Sequence, residues 1–61
     1  MGKNFRLHDC LCSPTLIGEF DTLGEMKKYA REYNEMCEGY WFPLFEKLEY
    51  GRYVTRDYKF E

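Results

Sequence analysis

From Phe5 to Cys12 apolar and polar residues alternate (Phe-Arg-Leu-His-Asp-Cys-Leu-Cys), which is the period of a half-buried strand. Phe5, Leu7 and Leu11 fall on one face, and Arg6, His8, Cys10 and Cys12 on the other. Ser13-Pro14 interrupts the run, and Thr15 to Phe20 predicts a second strand joined to the first by a turn. Leu16 and Ile17 are adjacent, which disturbs the alternation and allows a turn of more than two residues.

The period then changes. Leu23, Met26, Ala30, Tyr33 and Cys37 recur at helical spacing with Tyr29 and Met36 flanking, while Lys27, Lys28, Arg31, Glu32 and Glu35 take the opposite side. Thr22-Leu23-Gly24-Glu25 reads as a capping box, in which the threonine hydroxyl accepts the Glu25 amide and the glutamate reaches back. Gly39 supplies a left-handed stop, so the predicted helix covers about 22–38. Gly24 in its first turn costs on the order of 1 kcal/mol relative to alanine.

Two further segments have strand composition, Tyr40 to Lys47 and Arg52 to Phe60. A loop over Leu48-Glu49-Tyr50-Gly51 joins them as a hairpin, with Gly51 at positive φ. Pro43 has no amide proton and predicts an edge strand or a bulge. The resulting fold class is α+β, a small antiparallel sheet of three to four strands in the order β-β-α-β-β covered by one amphipathic helix, in a single domain over 1–61.

Length limits what this fold can bury. A domain of about 60 residues hides only roughly 60% of the surface its unfolded chain exposes, so a partner subunit would help and a homodimer is a candidate state. The 9 basic and 11 acidic side chains leave a net charge of −2, without the global attraction that phosphate backbones reward. No apolar leader and no run of 18 apolar residues is present, so the sequence predicts a cytoplasmic location with no membrane contact.

Three cysteines cannot all pair within one chain. His8, Cys10 and Cys12 on one strand face, with Cys37 from the helix, have the donor types of a Cys3His zinc site. The i, i+2 spacing on a strand separates donors by nearly 7 Å, unlike a Cys-x2–4-Cys knuckle, so the expected state is free, largely buried thiols beside a surface histidine, with no metal and no cofactor. For catalysis, His8 is the sole imidazole, Cys37 lies at the helix end whose dipole disfavours a thiolate, and no P-loop, dinucleotide turn or His-Glu-x-x-His occurs. A non-enzymatic protein is expected.

Twelve residues are aromatic, and ten of these lie between Tyr29 and Phe60. Tyr33, Phe5, Phe20 and one of Phe42 and Phe45 suit a core. Trp41 or its neighbours, with Tyr29, Tyr50 and Tyr53, are expected to face outward, where tyrosine and tryptophan serve as interface anchors, and Trp41 and Tyr40 are both taken into the expected partner-binding set. Arg52 and Arg56 complete the expected partner-binding set. The same C-terminal segment interleaves Arg52, Arg56 and Lys59 with rings, as single-stranded nucleic-acid readers do, although Asp57 and Glu61 dilute its charge.

A segment Glu19-Phe20-Asp21-Thr22-Leu23, a helix beginning Glu25-Met26-Lys27-Lys28-Tyr29-Ala30, an aromatic strand and a hairpin ending Arg52-Tyr53-Val54-Thr55-Arg56 together resemble the layout of very small phage-encoded inhibitors, including anti-CRISPR and host-polymerase inhibitor proteins. The resemblance covers about residues 19–57 and rests on layout, size and composition. It implies a cofactor-free binder that docks stoichiometrically onto a nuclease or polymerase.

Overall fold

The computed structural model of the chain describes residues 3–59. Its elements are β1 (Phe5–Asp9), β2 (Thr15–Phe20), α1 (Leu23–Met36), β3 (Pro43–Glu49) and β4 (Arg52–Arg56). The strands form one antiparallel sheet in the order β2-β1-β3-β4, and α1 packs on the β1 and β2 half of one face. The α+β class and the β-β-α-β-β order expected from the alternation are therefore what the chain adopts.

Apolar periodicity sets the core. Phe5 and Leu7 of β1, Phe45 of β3 and Met26 and Ala30 of α1 are buried together with Trp41, and Ile17, Phe20, Leu23, Tyr33, Cys37 and Tyr58 pack around them. Ile17 and Gly18 absorb a register shift opposite Leu7, so the adjacent pair Leu16-Ile17 belongs to a β-bulge. The Phe20 ring folds over Gly18, where a Cβ would lie 2.5 Å from its Cζ.

Thr22 caps the helix as expected, its hydroxyl oxygen accepting the Glu25 amide at 3.2 Å. The glutamate reaches back to that hydroxyl. At the other end Gly39 N–H donates to the Asn34 carbonyl at 2.9 Å and Glu38 N–H to the Glu35 carbonyl at 3.2 Å, which is a Schellman motif. Its left-handed C′ position is filled by Glu38 at φ 54°, and Gly39 at φ 82° follows it. A side chain at that φ costs roughly 1–2 kcal/mol, so Glu38→Gly should stabilise the domain by about 1 kcal/mol. A melting temperature raised by roughly 4–8 °C would show it, and an unchanged or lower one would refute it.

Several strand boundaries differ from expectation. β1 ends at Asp9 rather than Cys12 because the Asp9 carboxylate takes the Leu11 amide at 3.0 Å and turns the chain. Leu11 is consequently exposed, not on the inner face with Phe5 and Leu7. Pro43 opens β3, an interior strand, so the edge reading is corrected. Phe42 C=O accepts from Cys10 N–H and Leu48 N–H donates to the Asn4 carbonyl, at the two ends of β1, which turns the Pro43 nitrogen toward the β4 side, past the end of β4 at Arg56 where no strand amide is required. The hairpin loop is the two residues Tyr50-Gly51, at φ 51° and 80°, shorter than the predicted four. β4 stops at Arg56, and Phe60, assigned to it by composition, lies outside the described residues.

Candidate protein-binding surface

The alternation that buries Phe5, Leu7 and Phe45 sends Arg6, His8, Leu44, Glu46, Leu48, Tyr53 and Thr55 to the opposite face, which no element among the described residues covers. Its lower half is tied up internally. Arg6 reaches across β3 to stack on Tyr53 at 3.8 Å and pairs with Glu19 at 3.3 Å, and the Tyr53 hydroxyl donates to the Lys3 carbonyl at 2.6 Å. Tyr53, expected to face a partner, is half-buried in these contacts and braces the sheet.

The upper end is different. The loop after β1, the loop after α1 and the start of β3 meet there, joined by a bond from Cys10 N–H to the Phe42 carbonyl at 2.8 Å. Met36 is 72% exposed, Tyr40 77% and Phe42 60%, and Leu11 and Leu16 are about half exposed. At roughly 200 Å² per large side chain, these five together expose on the order of 600 Å² around this end, with Leu16 on the open face and Met36 on the helix side.

Between Tyr40 and Phe42 the chain reverses the role expected of Trp41. The indole is 5% exposed, lies 4.7 Å from the Tyr33 ring and donates its Nε1–H to Asn34 Oδ1 at 2.9 Å. Trp41 is a core residue, and its neighbours Tyr40 and Phe42 are the outward rings. Residues 40–42 precede β3, so strand alternation did not apply to them. Of the other expected anchors, Tyr29 is exposed but leans on Phe20 at 5.3 Å, and Tyr50 is fully exposed at the far hairpin tip. Arg52 is exposed on β4, whereas Arg56 is clamped to Glu49 by Nε to Oε2 at 3.0 Å and Nη2 to Oε1. That clamp holds the Glu49 carboxyl below its usual range.

Asp9, which the sequence reading did not single out, fixes the apolar end. One carboxylate oxygen accepts the Leu11 and Phe42 amides at 3.0 and 3.4 Å, and the other accepts the Tyr33 hydroxyl at 3.0 Å. The Leu11 amide, followed by the Tyr33 hydroxyl and the Phe42 amide, holds the Asp9 carboxyl below its ordinary value, against its partial burial. The bond to Asp9, together with burial, pushes Tyr33 up to about 12. A lowered carboxyl contributes stability above its unfolded value of about 3.9 and loses it as pH falls through the native value. A raised phenol contributes below about 10 and loses it as pH rises through about 12. Urea midpoints should therefore fall below about pH 4 and above about pH 10. Asp9→Asn should lower the midpoint at pH 7 and flatten the acid limb, whereas parallel acid limbs for the two proteins would contradict this role.

The thiols and histidine do not assemble as a Cys3His site would require. Cys12 is exposed, Cys10 and Cys37 are half-buried, and all three are free. His8 lies on the open face, its Nδ1 3.4 Å from Glu46 Oε1, a spacing that brings the two together without a well-directed hydrogen bond. Among the described residues no group of three or more His, Cys, Asp or Glu is placed to hold a metal ion, and no helix is long and apolar enough to cross a membrane. No protein-family model, curated protein or solved structure matches the chain.

Proposed function

We propose that this chain is a non-catalytic protein-binding module that docks through the apolar end of its sheet. The observation that carries the reading is the gathering of Leu11, Leu16, Met36, Tyr40 and Phe42 at that end. Scattered apolar residues need no explanation, but five large ones that together expose on the order of 600 Å² around one end, Leu16 on the open face and Met36 on the helix side, approach the ~800 Å² per partner of a standard interface. The Asp9 hydrogen bonds hold the loops that present it, which reduces the ordering cost of binding.

The resemblance of the sequence's layout to small phage-encoded inhibitors extends the proposal to a stoichiometric inhibitor of a nuclease or polymerase. In affinity capture from its native cells, the intact chain should retain one such enzyme, and Tyr40→Ser/Phe42→Thr should lose it while remaining folded. Equal recovery by both proteins would refute the surface. Recovery abolished by nuclease treatment would favour single-stranded nucleic-acid binding through Arg52, Arg56 and Lys59 instead.

A further inference from the structure

The two edges of the sheet are built differently. β2 follows Pro14 and is interrupted by the bulge at Ile17-Gly18, a common device against strand addition. β4 is regular over its five residues. Because even-numbered residues of β3 bond to β1, the odd-numbered ones bond to β4 through Arg52, Val54 and Arg56. The N–H and C=O groups of Tyr53 and Thr55 therefore point away from the sheet, and they meet no backbone partner among the described residues.

After Arg56 the chain leaves this edge. Tyr58 turns under the sheet and packs edge-on against Phe5 and Phe45, with ring centroids 6.3 and 6.0 Å apart. A cavity of about 430 Å³ remains where it departs, lined in part by Phe45, Thr55, Arg56 and Tyr58. On the helix side of β4, Arg52 and Arg56 flank Val54, with Lys47 opposite Val54. Glu49 answers Arg56 from the β3 side. With Lys59 and Asp57 included, four cations stand against two carboxylates, in a chain whose net charge is −2.

We propose that the β4 edge receives an extended segment of a partner protein as a fifth, antiparallel strand, with carboxylates opposite Arg52 and Arg56 and an apolar residue opposite Val54. Main-chain bonds to Tyr53 and Thr55 supply affinity, and alternate side chains supply selectivity. β4 of a second copy carries no carboxylate to set opposite Arg52 and Arg56. The register that pairs Tyr53 with Thr55 of the copy sets Arg52 against its Arg56, and like charges directly opposite are destabilising.

The test is an NMR titration of the isotopically labelled full chain with the blocked peptide Glu-Thr-Ile-Val-Glu. In the free protein the Tyr53 and Thr55 amides should exchange rapidly while Val54 is protected. Peptide should shift and protect both. Lys-Thr-Ile-Val-Lys should bind about tenfold more weakly, and Arg52→Glu should weaken the acidic peptide severalfold. Thr55→Pro, which removes an outward N–H and leaves the β3 ladder intact, should abolish binding. If that variant fails to fold, the titration of the unmodified chain alone decides. No change at Tyr53 and Thr55 at millimolar peptide, equal binding of the lysine peptide, or preferential binding of single-stranded oligothymidine at this edge would overturn the proposal. None of the residues titrated belongs to the apolar end, so this result and that of the Tyr40→Ser/Phe42→Thr capture stand or fall separately.

Discussion

Trp41→Ala is expected to leave the chain largely unfolded at 25 °C. Truncating a buried large aromatic costs about 3–5 kcal/mol, and a core of this size supplies roughly that much in total. Trp41 carries more than its area. Its ring packs on Tyr33 at 4.7 Å, and its indole N–H satisfies Asn34 Oδ1 at 2.9 Å, so alanine opens a cavity and strips a polar partner. The loop after α1 also loses its anchor to the helix, since Tyr33 and Asn34 are both helical. Loss of far-ultraviolet circular dichroism and of a cooperative urea transition would show this. A variant that unfolds at the wild-type midpoint would place the ring outside the core.

Tyr40→Ser combined with Phe42→Thr, one residue to either side, should do the reverse. Exposed substitutions of this kind usually change stability by less than about 0.5 kcal/mol, whereas truncating interface anchors costs about 2 kcal/mol or more. Partner affinity should fall by at least about 30-fold with the melting temperature nearly unchanged. The backbone bonds that place residue 42, from Cys10 N–H to the Phe42 carbonyl and from the Phe42 N–H to Asp9, do not involve its side chain. Titration calorimetry with the captured partner measures the affinity directly. Unchanged binding would remove these two rings from the interface.

The contrast across residues 40–42 shows what the sequence could and could not convey. Helix α1 was legible because Met26 and Ala30 repeat at helical spacing behind a capping threonine, and they proved fully buried. The hairpin was legible from Gly51 between two strand-like runs. Periodicity was silent where the chain is neither helix nor strand. Trp41 is buried from a loop by a hydrogen bond to Asn34, a contact seven residues away that no alternation encodes. Asp9 interrupts the apolar face of Phe5, Leu7 and Leu11, and its carboxylate ends β1 and ties together segments around residues 9–11, 33 and 42. Tyr40, Tyr29 and Tyr50 were placed outward correctly because a thin core cannot hold every ring. That Met36, Leu11 and Leu16 join Tyr40 and Phe42 at one end follows from strand order, which local patterns leave open.

Tyr50 is a further exposed ring, set apart from the apolar end. It is fully exposed at φ 51°, in a two-residue turn where asparagine or glycine is favoured. Its tip lies at the opposite end of the sheet from Tyr40 and Phe42, which makes it the natural comparison site.

Site-specific photo-crosslinking in native cells, with the reactive residue placed in turn at positions 42, 40, 29 and 50, tests the docking surface most directly. The account predicts that positions 42 and 40 each capture the same discrete protein, larger than this chain, and that position 29 on the helix does not. Crosslinks arising from position 29 or 50 while 40 and 42 give none, or joining position 42 only to a second copy of the chain, would contradict it.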